Sequence, residues 1–136
     1  MISISADRSV RDRGETAAEA VVVMPILFLL VMFVLQSALY FHTAHVARAA
    51  AVEGAVAAAA HQVAVSEVPV TGSEQARLFA TEAGGRLERT PDAGLSGGTV
   101  RVVVTLEVPS LVPFMSTHVT RDATEPKERI LTESER

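Results

Sequence analysis

The side chains best suited to catalysis or metal binding are few and scattered. His42 and His45 stand three residues apart and would share a helical face, but the next histidine is the distant His61. Zinc sites need three or four converging ligands, and the chain has no cysteine. The motifs G-x-S-x-G and H-E-x-x-H are missing, and the glycine-rich run 94–98 lacks the lysine of a phosphate loop. The sequence therefore predicts no enzyme, no metal site and no cofactor.

The composition also argues against a nucleic-acid partner. The formal net charge is −4, and no basic patch with interleaved aromatic residues is present. Hydrophobic residues make up 49% of the 136 residues but aromatic residues only 4%. Small apolar side chains bury little area each, so we expect the soluble part to be only modestly stable.

An uncharged segment from Ala20 to Phe41 predicts a transmembrane helix. Its length at the helical rise is roughly 33 Å, which is enough to cross the hydrocarbon core. A soluble chain of this size could not easily bury such a helix on every side. Tyr40 and Phe41 stand where an interfacial aromatic belt is expected. We therefore predict a single-pass protein of the cell membrane, with the lipid bilayer as a partner.

The arginines near the span predict its orientation. Arg8, Arg11 and Arg13 precede the span, whereas only Arg48 follows it closely. Positively charged flanks stay on the cytoplasmic side. The N-terminus is therefore expected in the cytoplasm and the C-terminus outside it.

The helix is expected to continue beyond the membrane, because residues 42–64 are rich in alanine and contain no proline. We predict a leader over 1–14, a long helix over 15–64 with its span at 20–41, and a separate domain over 65–136. Small residues in the helix recur four apart, and such rows let another helix approach closely. An alanine-rich composition also produces such rows by chance. The small residues predicted as subunit contacts are Ala47, Ala51, Gly54 and Ala55.

The remaining residues predict a small α+β domain with an antiparallel hairpin. A linker over 66–72 leads to a helix that reaches about Arg89, with Thr71 and Glu74 at the spacing of a capping box. Residues 90–98 read as a loop. Alternating valines over 99–108 predict a strand with one buried face, and an apolar connection leads to a second strand over 117–124. His118 is expected alone on a polar face of that strand.

Several residues stand at fixed spacing along the N-terminal part of the chain. They are Arg13-Gly14 at the end of a charged leader, Glu19 five residues later, Pro25 six residues after that, and Glu53-Gly54-Ala55 in the alanine-rich helix. This pattern resembles the TadE-like family, small membrane proteins of tight-adherence pilus systems, and the similarity is specific over residues 13–60. Two positions depart from the family pattern: Ala20 replaces a frequent aromatic residue, and Val52 replaces a frequent arginine.

The resemblance implies a pseudopilin or minor component of a pilus or secretion apparatus. A prepilin-type peptidase would cut after Gly14, because glycine leaves the cleft unobstructed and favours a segment not yet helical. The mature chain would begin at Glu15, and Glu19 would meet the free amine of a neighbouring pilus subunit. Pro25 is also implied as a subunit contact. Without the resemblance, Glu19 is explained by the helix dipole, and Pro25 either kinks the span or is tolerated in its first turns.

Three other classes of protein are left open by the residues alone. A secreted protein would be cut near Ala47-Arg48-Ala49, although the apolar segment is longer than a signal peptide requires. A plain single-pass anchor would present an outer binding domain with an uncut N-terminus. A membrane-bound enzyme has the least support, since no catalytic constellation is visible.

Overall fold

The structure, a computed structural model, describes residues 8–111 and 116–127, and their side chains from Glu19 onward. The chain divides into two compact units, Met1–Ser37 and Ala38–Arg136. The helices are α1 (Arg8–Ala59) and α2 (Val68–Glu82), with a short 3-10 turn at Val65–Glu67. The strands are β1 (Arg86–Leu87), β2 (Asp92–Ser96), β3 (Thr99–Val108) and β4 (Thr117–Pro126).

The described part of the first unit is the N-terminal part of α1. Its residues from Glu19 to Val31 are all exposed, including every large apolar side chain. Within the described residues, one helical stretch, Glu19–Ala59, is long and apolar enough to cross a membrane. An apolar helix without protein cover is the form expected of a segment whose solvent is lipid. This helix therefore fits a single-pass membrane protein.

The second unit, called the domain below, is built on an antiparallel sheet with β3 at its centre. β4 pairs with β3 along its whole length, from Thr99 opposite Pro126 to Val108 opposite Thr117. β1 and β2 pair with the two ends of the other side of β3. The predicted strand 99–108 and its hairpin with β4 are confirmed. Together with the long N-terminal helix, they confirm the predicted fold class.

Alternation along β3 gives the sheet one apolar and one polar face. The apolar side chains of β3 are almost completely buried, and they pack with small residues of α1 and α2 in one hydrophobic core. The domain therefore has two layers, helices on one side and the sheet on the other. The apolar side chains are those of Val100, Val102, Val104, Leu106 and Val108.

The C-terminal part of α1 belongs to this core. The second compact unit begins at Ala38, and the predicted boundary of a separate domain at residue 65 stays a prediction. The helix ends at Ala59, and a turn follows where helix was predicted to 64. Alanines facing the sheet explain the early start, because Ala47, Ala50 and Ala51 are completely buried.

α2 begins and ends earlier than predicted. Val68 starts the helix and Pro69 stands in its first turn, so the predicted linker 66–72 and capping box are wrong. Glu74 pairs instead with Arg77, whose hydrogen bond and charge lower the pKa of the Glu74 carboxyl. The helix ends before Gly84, whose φ of 76° is left-handed, and the next residues turn into β1.

The predicted loop over 90–98 contains a strand. β2 occupies Asp92–Ser96 and pairs with β3, with Ser96 opposite Thr99. The two residues between them, Gly97 and Gly98, both have positive φ, which is the requirement of a tight two-residue hairpin. The predicted loop is thus reduced to a two-residue turn at Gly97 and Gly98, and a strand precedes it.

A single lysine holds the end of α1. The ammonium of Lys127, just after β4, donates hydrogen bonds to the carbonyl oxygens of Ala58 at 3.1 Å, Val63 at 2.8 Å and Ala60. The last carbonyls of a helix have no partner within it and carry partial negative charge. Lys127 therefore joins the end of the sheet to the end of α1 and satisfies these carbonyls.

We predict that Gly54→Ala destabilises the domain, although alanine normally favours helix by up to about 1 kcal/mol. A Cβ at Gly54 would lie 2.5 Å from the Gly72 carbonyl oxygen and 2.8 Å from the Ala76 Cβ. Overpacking should lower the free energy of unfolding by about 1–3 kcal/mol, measured by denaturant titration of the full chain in micelles. Glu53→Ala, at the exposed neighbouring position, is the control, and an equal effect in both variants would contradict the prediction.

We predict that Lys127→Met lowers the free energy of unfolding by about 1–2 kcal/mol, because three carbonyls lose a charged donor. Arg101→Met is the control, since Arg101 forms an exposed pair with Asp122 at 2.9 Å, and its loss should cost at most about 0.5 kcal/mol. Chemical denaturation of both variants checks the difference. Equal stability of the two variants would mean that Lys127 does not hold the helix end.

Candidate functional site

The proposed processing site lies within α1. The helix begins at Arg8, so Gly14 and Glu15 are both helical in the structure. The expectation that the scissile segment is not yet helical is therefore wrong for this conformation. A peptidase that cleaves an extended segment would first have to open the helix, and glycine is among the residues that cost least to unwind.

Glu19 and Pro25 lie in the same helix of the first unit. The side chain of Glu19 is exposed, at the boundary between the charged leader and the apolar segment. Pro25 lies inside α1, which continues through it. Because proline has no amide hydrogen, the regular helical bond to the Val21 carbonyl cannot form. Their predicted subunit contacts stay predictions.

The small residues proposed as subunit contacts are placed in the core of the domain. Ala47, Ala51 and Ala55 are completely buried, and Gly54 faces Gly72 and Ala76 of α2. The contact that the structure gives them is within the chain, with the sheet and α2. Their predicted contact with another subunit stays a prediction, and it concerns a helix face that the domain covers.

The opposite face of α1 is more open, although Ala49 and Val52 on it are half-buried and Val52 also packs against the core. Five residues, called the outer stripe, recur at intervals of three or four and lie within about 80° of one another on a helix. Phe41 is 62% exposed and Val56 is 52% exposed, so the stripe presents large apolar side chains. Sequence reasoning missed it, although its helical spacing was a readable signal. The outer stripe consists of Phe41, His45, Ala49, Val52 and Val56.

The histidines form no metal centre in the described part of the chain. His42 and His45 are exposed, and no three His, Asp or Glu side chains of residues 8–111 and 116–127 could hold a metal ion together. His118 lies on the polar face of β4, as predicted, but it is not alone, because its Nδ1 lies 3.7 Å from a Glu88 carboxylate oxygen. Glu53 is exposed as well.

The described residues thus combine a long N-terminal helix that could span a membrane with a small α+β domain. A family model described as TadE-like protein matches residues 14–56. This confirms the resemblance, and the match includes its motif residues from Gly14 to Ala55. No curated protein and no solved structure matches the chain.

Proposed function

We propose that this protein is a pseudopilin or minor component of a tight-adherence pilus or secretion apparatus. In this role it is processed by a prepilin-type peptidase and works through helix–helix contacts with other subunits. The observation that carries the proposal is the joint presence of Gly14, Glu19 and Pro25 within a matched TadE-like segment that leads into a membrane-spanning helix. The role is structural and needs no catalytic residue.

The proposed orientation places the leader in the cytoplasm and the domain outside the cell membrane. The excess of arginine before the span supports this, with Arg8, Arg11 and Arg13 on one side and Arg48 on the other. A prepilin-type peptidase acts on the cytoplasmic side of its substrates, so the same orientation gives it access to Gly14.

Glu19 is proposed to guide assembly. Cleavage after Gly14 would create a positively charged amine at Glu15, near the membrane boundary. A carboxylate at the edge of hydrocarbon is costly unless a cation pairs with it. The amine of a neighbouring subunit supplies that cation, and the exposure of Glu19 leaves its carboxylate available.

The outer stripe is proposed to be the helix surface that contacts other subunits outside the bilayer. The sheet and α2 cover the small-residue face of α1, whereas Phe41 and Val56 stay exposed. The exposed members of the stripe leave room for a partner helix to pack along this part of α1. This assignment replaces the alanine face with the outer stripe as the proposed contact surface.

Burial in the domain also argues against a cleaved signal peptide. Cleavage near Ala49 would remove Ala44 and Ala47 from the hydrophobic core and cut a helix whose next residues, Ala50 and Ala51, are completely buried. A secreted protein would therefore lose part of its fold on processing.

We expect the mature protein in the membrane fraction to begin at Glu15 when a prepilin-type peptidase is present. Gly14→Val should abolish this cleavage because the branched side chain obstructs the cleft and stiffens the segment, whereas Ala17→Val, three residues away, should leave it intact. Intact-mass spectrometry of both variants checks the result. A start near Ala50 would support a secreted protein, and an uncut chain would support a plain anchor.

We expect Val56→Cys to form disulfide-linked complexes in assembling cells, while Leu78→Cys does not. The chain has no cysteine, so each variant has a single thiol. Val56 is 52% exposed on the outer stripe, and Leu78 is 41% exposed on α2. Non-reducing electrophoresis of cells oxidised in place measures the yield.

A second substitution links this cross-link to assembly. Glu19→Ala added to Val56→Cys should lower the cross-linked yield, and Glu53→Ala, the control, should not. Cross-linking that is equal at both thiols, or unaffected by Glu19→Ala, would contradict the proposed contact.

A further inference from the structure

We infer that the domain touches the bilayer at a second place, where the connection between β3 and β4 begins. The surface consists of Tyr40 and Phe41 from α1 together with Pro109 and Leu111 from the connection, and we call it the interfacial end. Its partner is the interfacial layer of the lipid bilayer. The inference needs the membrane span but not pilus assembly.

One small cavity brings these two segments together. It has a volume of about 120 Å³ and is lined by Leu39 and His42 of α1 and by Pro109 just after β3. A water molecule occupies about 30 Å³ of liquid, so the cavity is only a few water molecules in size. The start of the connection therefore lies beside the residues of α1 at which the predicted span 20–41 ends.

The exposed side chains at this end are of the kind found at membrane surfaces. Phe41 is 62% exposed, Leu111 is 41% exposed and Tyr40 is 37% exposed. The rings of Tyr40 and Phe41 pack edge to face with centroids 5.8 Å apart. Aromatic residues concentrate where bilayer meets water, and apolar area removed from water is favourable by about 25 cal/mol per Å².

The charges near this end favour shallow contact over insertion. Arg86 and Glu107 form an exposed pair at 3.6 Å, and His118 lies beside them on the polar face of the sheet. Charged groups are costly in hydrocarbon but are accommodated among headgroups. The sequence from Ser110 to Met115 also contains no charged residue. The interfacial end therefore fits the boundary between headgroups and acyl chains.

Continuity with the span identifies lipid as the occupant. Tyr40 and Phe41 are the last residues of the uncharged segment, so the bilayer surface surrounds them once the span is inserted. Leu39, which precedes them in α1, lines the same cavity as Pro109. The bilayer surface at the end of the span therefore also lies beside the start of the connection.

Single tryptophans can measure this contact, because the chain has no tryptophan. Leu111→Trp reports on the connection and Phe41→Trp on the end of the span. Leu78→Trp is the control, matched to Leu111 at 41% exposure. The control position is distant from the interfacial end. Ala76, two residues before Leu78, packs against Gly54, and Gly54 lies roughly 20 Å along α1 from Phe41. The full-length variants are inserted in phosphatidylcholine vesicles with or without bromine on the acyl chains near the headgroup.

We expect brominated lipid to quench Leu111→Trp and Phe41→Trp at least about twofold more than Leu78→Trp. Quenching of Phe41→Trp alone would overturn the second contact while leaving the span intact. Equal quenching of Leu111→Trp and Leu78→Trp would also overturn it, because the end would then be no closer to lipid than the side of α2. If none of the three is quenched, the inference and the span are both wrong.

Discussion

The contact between α1 and α2 leaves no room for a side chain at Gly54, and the architecture of the domain depends on this close approach. A Cβ at Gly54 would meet the Gly72 carbonyl oxygen, and a Cβ at Gly72 would lie 2.8 Å from the Ala93 Cβ. Both glycines also approach Val102 at the centre of the sheet. Small residues thus bring two helices and a valine-rich strand within van der Waals distance, and close packing replaces the large side chains that this chain lacks.

The same packing separates the structural and exposed faces of α1. A helix can bury its alanines against its own sheet or offer them to another helix, but one face cannot do both at once. Here the alanine face is filled by the domain, and the outer stripe, on the other side, carries Phe41 and Val56. The assembly contact proposed above therefore uses a different set of side chains from the one that the small-residue rows indicated. Larger apolar side chains on that surface suit a contact that forms after the domain has folded, because they can pack on a partner helix without a groove of matching depth.

Much of the fold was predictable because its signals are local. The uncharged run 20–41 and the alternation in β3 can each be recognised from consecutive residues. The site motif was equally readable, since Gly14, Glu19 and Pro25 stand at fixed spacing. Other features depend on contacts distant in sequence: β2 forms because it pairs with β3, and Lys127 holds carbonyls more than sixty residues away. The burial of the alanine rows also depends on contacts distant in sequence, because the spacing of the alanines does not show whether the sheet or another helix packs on that face of α1.

The division of faces also explains why the sheet can be polar on its other side. A partner helix that follows the outer stripe reaches α1 from the side opposite the sheet, so it does not cover the polar face of β3. That face keeps ordinary surface interactions, such as the Arg101–Asp122 pair and the contact between the Arg89 guanidinium and the hydroxyl of Thr105. The charged side chains on the polar face of the sheet stay in water when a partner helix binds, so their desolvation does not oppose assembly. Charge on the outer stripe would instead have to be desolvated, and its large exposed apolar members are Phe41 and Val56. The sequence of α1 thus reflects two constraints at once: small residues where the chain packs on itself, and larger apolar residues where another chain is proposed to pack.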